Sequence, residues 1–358
     1  YELSLACSRI VAAESPKTRI GLPETQLGIV PGWGGTQRLP RRIGIPSALD
    51  AILTGRLFDA RSAQRRGMVD RVTPPEILLR VAVDIAAGRL SCRRGKRGLA
   101  GVFVDRNPLA QSVIAAVTRR QVMNKTHGHY PALLKAIDLV TKAPSTNLAE
   151  GFDAEARAIE RLAPGPVCKN LVGIFHLTEE AKKLGRRADG SSPEPIERGG
   201  VIGAGVMGAG IAGLFAARGV ATRLFDIARK PLDAALIEHR SDVGKRLKQR
   251  RTKPEEALAA IDRLDATSTL VGFARAQLVI EAVAERVEVK RDVFTKLCEQ
   301  VPADTILATN TSSLSVSEIA RGVPHPERVV GMHFFNPVKR MPLVEVIRGD
   351  QTSEEVVS

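Results

Sequence analysis

Val201-Ile202-Gly203-Ala204-Gly205-Val206-Met207-Gly208-Ala209-Gly210 decides the fold of the second half of this chain. A short β-branched run enters a glycine turn, and an alanine-rich helical pattern, Ile211 to Ala217, leaves it. Strand, glycine turn and helix in that order are what a dinucleotide fingerprint needs. Gly203 permits the tight turn, Gly205 lets the backbone approach a pyrophosphate, and Gly208 lets helix and strand pack closely. The helix N-terminus then offers unpaired N–H groups and a positive dipole end to the phosphates. A second apolar run, Ala221 to Phe225, ends in Asp226, about 20 residues past the fingerprint, where an acid can accept from both ribose hydroxyls. A glycine pattern by itself often marks no more than a loop before a helix. Strand, helix and acid together predict a bound dinucleotide.

Downstream, Lys230 to Ala260 reads as a long basic helical region. Leu278 to Glu285 is an apolar run closed by acids, as in a buried parallel strand that meets a ligand crevice at its carboxyl end. Val289 to Gln300 reads as the next helix and Thr305 to Thr309 as a strand ending in Asn310-Thr311-Ser312-Ser313. Val329 to His333 is a third strand, running into Phe334-Phe335-Asn336-Pro337, and Leu343 to Ile347 is a final run containing Glu345. A lone histidine on a strand is most often a satisfied core residue. His333, however, ends its strand beside a polar turn, with an acid twelve residues on that can return alongside it. A His–Glu pair fixes the imidazole tautomer and stabilises the imidazolium formed when a hydroxyl proton is removed. Oxidation of a secondary alcohol by nicotinamide requires that step: proton to base, hydride to cofactor.

Gly203 to Gly210, Asp226, Ile280-Glu281-Ala282-Val283, Glu285, Lys290, Asn310 to Leu314, Gly331 to Pro337 and Pro342 to Ile347 resemble the L-3-hydroxyacyl-CoA dehydrogenase family. The resemblance implies a Rossmann-type, doubly wound α/β NAD-binding domain over 197–358. It makes His333 the catalytic base and Glu345 its partner. Ser312 would bind the substrate hydroxyl region, with Asn336 and Lys290 lining the site. The implied NAD contacts are Gly203, Gly205, Met207, Gly208, Asp226, Val283, Ala284, Glu285, Lys290, Ser312 and Asn336, the last and Ser312 also touching substrate. Asp226 disfavours a 2′-phosphate by repulsion, and Arg229 nearby pulls the other way. Two departures stand out. Gly199-Gly200 occupies the first strand, which is expected to be the less stable for it. The chain also stops at Ser358, before the family's helical domain, which supplies a further asparagine and much of the dimer contact.

Ordinary apolar and charged fractions over 358 residues suit two or three globular domains. No apolar run approaches the length of a bilayer span and nothing resembles a signal peptide. Tyr1-Glu2-Leu3-Ser4 reads as the middle of an element, so the chain is expected to begin inside a domain. Cys7, Cys92, Cys168 and Cys298 lie far apart without metal-ligand spacing, as reduced structural thiols do. His127-Gly128-His129 lacks further ligands at suitable spacing and reads as a polar loop, so no metal is expected. The net charge of +14 admits nucleic acid, an anionic membrane or a polyanionic small molecule. Basic residues are spread along the chain, with one cluster at Arg89 to Arg97, and the scarce aromatics do not interleave with them. That argues against a stacking platform for single strands, and no nucleic-acid partner is expected.

At the other end, Leu3 to Ala13 reads as a buried helix and Thr18 to Leu22 as a strand, followed by Pro23-Glu24 and the glycine-rich turn Gly28 to Thr36. On spacing alone, Glu2 and Glu24 are more often surface charges than a catalytic pair. Glu2 to Ala13, Pro16 to Thr18, Gly21 to Glu24, Gly32 to Pro40, Leu53-Thr54-Gly55, Ala60 to Ala63, Gly67 to Val69 and Val72 resemble the enoyl-CoA hydratase (crotonase) family. There two glutamates hold one water and add it across a thioester-conjugated double bond, and Glu2 and Glu24 fall on those positions. One carboxylate can take a proton from water while the other, protonated, supplies one to the α-carbon, if burial and repulsion separate their pKa values. The same pair could shift a double bond, as some members do. The family's oxyanion-hole N–H groups lie before its first glutamate. Each contributes about 3 kcal/mol to the transition state, so the 358 residues alone are expected to hydrate poorly.

Between these regions, Glu76 to Ala87, Pro108 to Val122, Ala132 to Val140 and Asn147 to Leu162 read as amphipathic helices. Pro164-Gly165-Pro166 breaks the pattern, Val167 to Leu184 resumes it, and Gly185 to Glu197 is a charged linker. Val167 to Val172 with Leu177 to Lys182 resembles the helix joining the two enzymes of multifunctional fatty-acid oxidation proteins. Three parts follow: 1–100, the C-terminal part of a crotonase-like domain; 101–196, a helical region and linker; 197–358, the NAD-binding domain. Together they resemble the α subunits of fatty-acid oxidation complexes, as a piece lacking both ends. The resemblance implies acyl-CoA substrates, NAD, a thiolase subunit and an oligomer of the full-length parent, in a bacterial cytoplasm or a eukaryotic mitochondrion or peroxisome. Two alternatives remain: a dehydrogenase whose hydratase portion is a scaffold, and a basic scaffold for RNA or anionic lipid that reuses the nucleotide fold.

Overall fold

Leu3 to Ala13 does not fold as one helix. A single turn, Glu2–Leu5, gives way to the exposed Cys7-Ser8-Arg9 and then to strand β1 (Val11–Ala13). β1 pairs in parallel with β2 (Arg71–Thr73), Val11 opposite Arg71, so a ladder formed with distant residues overrides the helix propensity of the alanines. Thr18 to Leu22 likewise contributes one bridge, Ile20 to Phe58, and no full strand. Pro23 follows directly and has no N–H for a ladder. The structure is a computed structural model describing residues 1–92, 105–184, 193–249 and 251–357, in two compact units, Tyr1–Lys182 and Lys183–Ser358. Most of the basic cluster, from 93 on, and most of the linker, 185–192, lie outside the described residues.

In the first unit the Gly35–Ile43, Ile45–Thr54 and Pro131–Lys142 helices meet around Leu39, Ile45, Ile52, Ile137 and Val140, all fully buried. Gly44, at φ +90°, lets the chain turn between the first two. The Pro108–Thr126 helix ends on His127 in the left-handed region. The Leu148–Leu162 helix begins on Asn147, whose side chain accepts the Glu150 N–H at 2.9 Å. It buries Gly151, Glu155 and Ala158, one stripe at helical spacing with a charge in its middle.

The second unit is built on a sheet of, among the described residues, seven strands: β3 (Arg198–Ile202), β4 (Ala221–Phe225), β5 (Leu264–Thr267), β6 (Leu278–Glu281), β7 (Ile306–Thr309), β8 (Val329–Phe334) and β9 (Val344–Arg348). Their order is β5-β4-β3-β6-β7-β8-β9, and every neighbouring pair is parallel except β8 with β9. The order reverses at β3, so a crevice opens between the carboxyl ends of β3 and β6, where ligands bind in such sheets. The region from Lys230 to Ala260 is two helices, Arg229–Lys248 and Pro254–Asp262, because Pro254 begins a new helix. Gly199 and Gly200 lie within β3, which is paired on both edges. A Cβ on Gly200 would lie 2.7 Å from the Phe273 ring, and one on Gly199 would lie 3.2 Å from Phe215. Aromatic rings from outside the strand occupy the room the missing side chains leave.

Candidate active sites

The three fingerprint glycines divide into two kinds. Gly203 adopts φ +97°, and a Cβ there would sit 2.6 Å from the Ala282 carbonyl oxygen; on Gly208 it would sit 1.8 Å from that of Gly203. Both are demanded by packing. A Cβ on Gly205 would meet nothing within 4 Å, so its openness serves something outside the polypeptide. Gly205 is also the N-cap of the Val206–Ala217 helix, whose first N–H groups have no side-chain cap and whose second residue is the half-buried Met207. Asp226, just past β4, accepts the Ala204 N–H at 2.8 Å through one oxygen and the Ala228 N–H at 2.9 Å through the other. The carboxylate is thereby tied to the glycine turn. A cleft of about 650 Å³ lies here, lined by Gly203, Gly205, Asp226, Ile227, Leu270, Val283, Ala284 and Val293, among others. Apolar walls for a base, an acid for a ribose and an open glycine for phosphates fit a dinucleotide. Arg229 turns to Asp233, 3.0 Å away.

β8 and β9 set His333 and Glu345 opposite each other in register. Nδ1 lies 2.8 Å from Glu345 Oε2, and the Phe335 ring packs on the imidazole at 4.5 Å between centroids. With Nδ1 engaged, Nε2 is the nitrogen left for proton exchange. The turn after β8 runs beside the fingerprint helix, since a Cβ on Gly210 would meet Val338 at 3.1 Å. Asn336 is exposed on that turn, and its side chain makes no hydrogen bond among the described residues. Ser312, also exposed, donates its N–H to Glu285 Oε1 at 3.1 Å.

Lys290 is held by two carboxylates. It lies on the Val287–Cys298 helix with its side chain fully buried. Its Nζ is 2.9 and 3.1 Å from the two oxygens of Glu281, 3.1 Å from the Asn310 carbonyl oxygen and 3.2 Å from Glu285 Oε2. Glu281, at the end of β6, also accepts from Thr309 Oγ1 and from the Val283 N–H, each at 2.7 Å. Asn310 Oδ1 in turn accepts the Phe334 N–H at 3.0 Å, beside His333. Burial works to raise the Glu285 carboxyl, but the Thr311 hydroxyl at 2.5 Å, Lys290 and the Ser312 N–H together hold it below the usual carboxylate range. Glu281 is a site-shaping residue that sequence reasoning did not single out. An acid ending a wholly buried strand was its signal, because such a charge needs a cation.

In the first unit Glu2 is buried, and its Oε1 accepts the Trp33 and Gly35 N–H groups at 2.9 and 2.6 Å. Glu24 opens a short 3₁₀ helix, Glu24–Leu27, anchored by Thr25 Oγ1 donating to the Ile52 carbonyl at 2.6 Å. Its Oε2 is buried without a hydrogen-bond partner among the described residues. Burial pushes the Glu24 carboxyl above its ordinary value; its own backbone N–H opposes this, and the charge of Glu2 adds to the rise. The structure thus brings the two glutamates within electrostatic reach. It adds a third, Glu155, which accepts the Gly34 and Thr36 N–H groups at 2.7 and 2.8 Å. Sequence reasoning passed over Glu155, although its place between Gly151 and Ala158 on a buried stripe distinguished it from a surface charge.

The fold and these sites define a Rossmann-type NAD-binding domain preceded by a crotonase-like portion. Residues 199–358 match the family described as 3-hydroxyacyl-CoA dehydrogenase, NAD binding domain, and residues 1–93 match enoyl-CoA hydratase/isomerase. The two matches, in this order, bear out the resemblance to a fused fatty-acid oxidation enzyme, and the matched domain indicates NAD as cofactor. Among solved structures, 3-hydroxybutyryl-CoA dehydrogenase of Escherichia coli K12 is similar at 41% identity and TM-score 0.45, over 46% of this chain and 35% of that one. FadB2 of M. tuberculosis is similar at 37% identity and TM-score 0.44, over 46% and 58%. (S)-3-hydroxybutyryl-CoA dehydrogenase PaaH1 of Ralstonia eutropha follows at 32% identity and TM-score 0.43, over 45% and 57%. The chain thus spans between about a third and three fifths of the length of these relatives. No helix among the described residues is long and apolar enough to cross a membrane.

Proposed function

We propose that the protein carrying this chain acts in fatty-acid β-oxidation, hydrating a trans-2-enoyl-CoA and oxidising the resulting L-3-hydroxyacyl-CoA to 3-ketoacyl-CoA. The observation that carries this reading is the 2.8 Å contact between His333 and Glu345, on a strand that ends beside the dinucleotide helix. His333 Nε2 takes the proton of the substrate hydroxyl while Glu345, holding Nδ1–H, stabilises the imidazolium. NAD, when bound along Gly203 to Gly208 and Asp226, would supply the acceptor for the hydride that leaves the carbon bearing that hydroxyl. In this reading Ser312 and Asn336, exposed on the turns after β7 and β8, hold substrate and nicotinamide. Lys290 and Glu285 keep the walls of the crevice in position from behind.

For hydration, Glu2 takes a proton from water as its oxygen bonds to the β-carbon, and Glu24 delivers a proton to the α-carbon. The raised Glu24 carboxyl suits the acid, and Glu2, which accepts two N–H bonds, suits the base. Retention of this pair favours an active hydratase over a scaffold. The division into 1–100, 101–196 and 197–358 then assigns hydration to the first part and oxidation to the last. A 3-ketoacyl-CoA product is what a thiolase cleaves, so we place a thiolase as partner in an oligomer of the full-length protein, wherever acyl-CoA is degraded: bacterial cytoplasm, mitochondrion or peroxisome. The test is to supply crotonyl-CoA and NAD to the full-length protein and follow NADH. Formation of NADH supports both steps; NADH from 3-hydroxybutyryl-CoA but not from crotonyl-CoA leaves the dehydrogenase alone; salt-sensitive polyanion binding without NADH rejects the reading.

A further inference from the structure

The turn Trp33–Thr36 is gripped from two sides. Its four successive N–H groups alternate between carboxylates: Trp33 and Gly35 donate to Glu2 Oε1, Gly34 and Thr36 to Glu155 Oε2 and Oε1. Thr36 Oγ1 donates to Glu155 Oε1 as well, and Gln37 donates to Thr36 Oγ1 at 3.0 Å. These donors head the Gly35–Ile43 helix, whose N-cap, Gly34, has no side chain to satisfy them. The helix that carries Glu155 lies directly against the turn. A Cβ on Gly151 would come within 2.3 Å of Gln37, and one on Gly34 within 2.9 Å of the Phe152 ring. Glu155 itself is 0% exposed.

Successive peptide planes in so tight a turn cannot rotate independently. Fixing the Gly34 and Thr36 N–H groups on one side therefore fixes those of Trp33 and Gly35 on the other. Both of the latter end on a single oxygen of Glu2, which leaves the second oxygen for proton exchange. We propose that Glu155 is a positioning residue of the hydratase centre, holding the Trp33–Thr36 turn so that it orients the Glu2 carboxylate. This rests on the hydratase reading of Glu2 and Glu24. Glu155, fully buried, acts through the turn.

The test uses the full-length protein with Glu155→Gln, which keeps the volume but replaces one acceptor oxygen by a donor, and Glu155→Ala, which removes both oxygens. Butyryl-CoA, saturated and unreactive, counts intact binding sites; crotonyl-CoA hydration yields kcat and KM; backbone hydrogen exchange reports on residues 33–36. Expected are an unchanged number of butyryl-CoA sites, faster exchange confined to the turn, and kcat per site lower by about tenfold or more with KM within about threefold. A kcat per site within about twofold of wild type overturns the proposal. So does a fall in hydration matched by an equal loss of butyryl-CoA sites, which makes Glu155 a folding residue only. Failure of the hydratase reading looks different: the wild-type protein binds butyryl-CoA and leaves crotonyl-CoA unhydrated, and the proposal falls with it.

Discussion

His333 and Glu345 stand opposite each other across the antiparallel step from β8 to β9, with Nδ1 and Oε2 2.8 Å apart. Residues in register on neighbouring strands project from the same face of a sheet. The backbone pairing therefore brings base and carboxylate together, and no mobile loop has to do so. Glu345 is half exposed while His333 is mostly covered, which leaves the carboxylate solvated and the imidazole in the drier place.

If the pair works as proposed, His333→Gln in the full-length protein lowers kcat for 3-hydroxyacyl-CoA oxidation by roughly 10²- to 10⁴-fold, the usual worth of a general base. Glu345→Gln keeps the shape, loses the charge and has a smaller effect, about 10-fold to 100-fold. Titration of NADH binding should give unchanged affinity in both variants. Weakened cofactor binding in step with kcat would mean that His333 shapes the cleft and does not exchange a proton.

The contrast between Gly205 and Gly208 gives a second prediction. Gly208→Ala forces a Cβ onto the Gly203 carbonyl oxygen and should unfold or strongly destabilise the second unit. Gly205→Ala meets no protein atom within 4 Å. Its thermal unfolding should match wild type while NAD affinity falls about tenfold, because a methyl group then stands where phosphate approaches. Equal loss of stability in both variants would contradict the division between packing and ligand approach.

The second unit was more legible in the sequence than the first, and particular residues show why. Val201 to Gly210 and Leu278 to Glu281 carry their own instructions: a glycine turn and a fully buried apolar strand. His333 and Glu345 could be paired because only a short return separates them. In the first unit β1 and β2 lie about sixty residues apart and are three residues each, too short to show alternation. Alanine in Leu3 to Ala13 therefore suggested a helix. Glu155 lies on a helix whose amphipathic pattern was visible, but its partners are N–H groups of the Trp33–Thr36 turn, and backbone donors leave no mark in a sequence. Lys290 is a residue the sequence does mark, but its full burial depends on Glu281, Glu285 and Asn310 arriving from three separate segments.

Glu24 carries a pH prediction. Burial raises its carboxyl, with its own backbone N–H opposing and the charge of Glu2 adding. A group whose native value lies above its unfolded value contributes stability that is fully present below the unfolded value and lost as pH rises through the native one. At neutral pH the first unit therefore bears the cost of a buried charge. Glu24→Gln removes it, so the unit should melt at a higher temperature than wild type at neutral pH, with the difference closing below the ordinary glutamate range. Hydration should fall by roughly 10²- to 10⁴-fold. A thermal shift of the same size at both pH values would show that the carboxyl is not raised.

Lys290 and Glu281 allow wall-building to be separated from direct cofactor contact. Both side chains are fully buried, and the ammonium has oxygen partners on Glu281, Glu285 and Asn310. Lys290→Met leaves the Glu281 charge buried without its cation, which should cost about 3–5 kcal/mol in unfolding of the second unit. Lys290→Met combined with Glu281→Gln removes both charges, and the amide can still accept from Thr309 Oγ1 or the Val283 N–H. Most of the lost stability should return, to within about 1–2 kcal/mol of wild type. NAD affinity decides the rest. If the network acts by holding Val283, Asn310 and Phe334 in place, affinity falls in the single variant and recovers in the double one. An affinity that stays low after stability has returned would put the ammonium in contact with the cofactor. Denaturant unfolding and NADH titration on the same three preparations make the comparison.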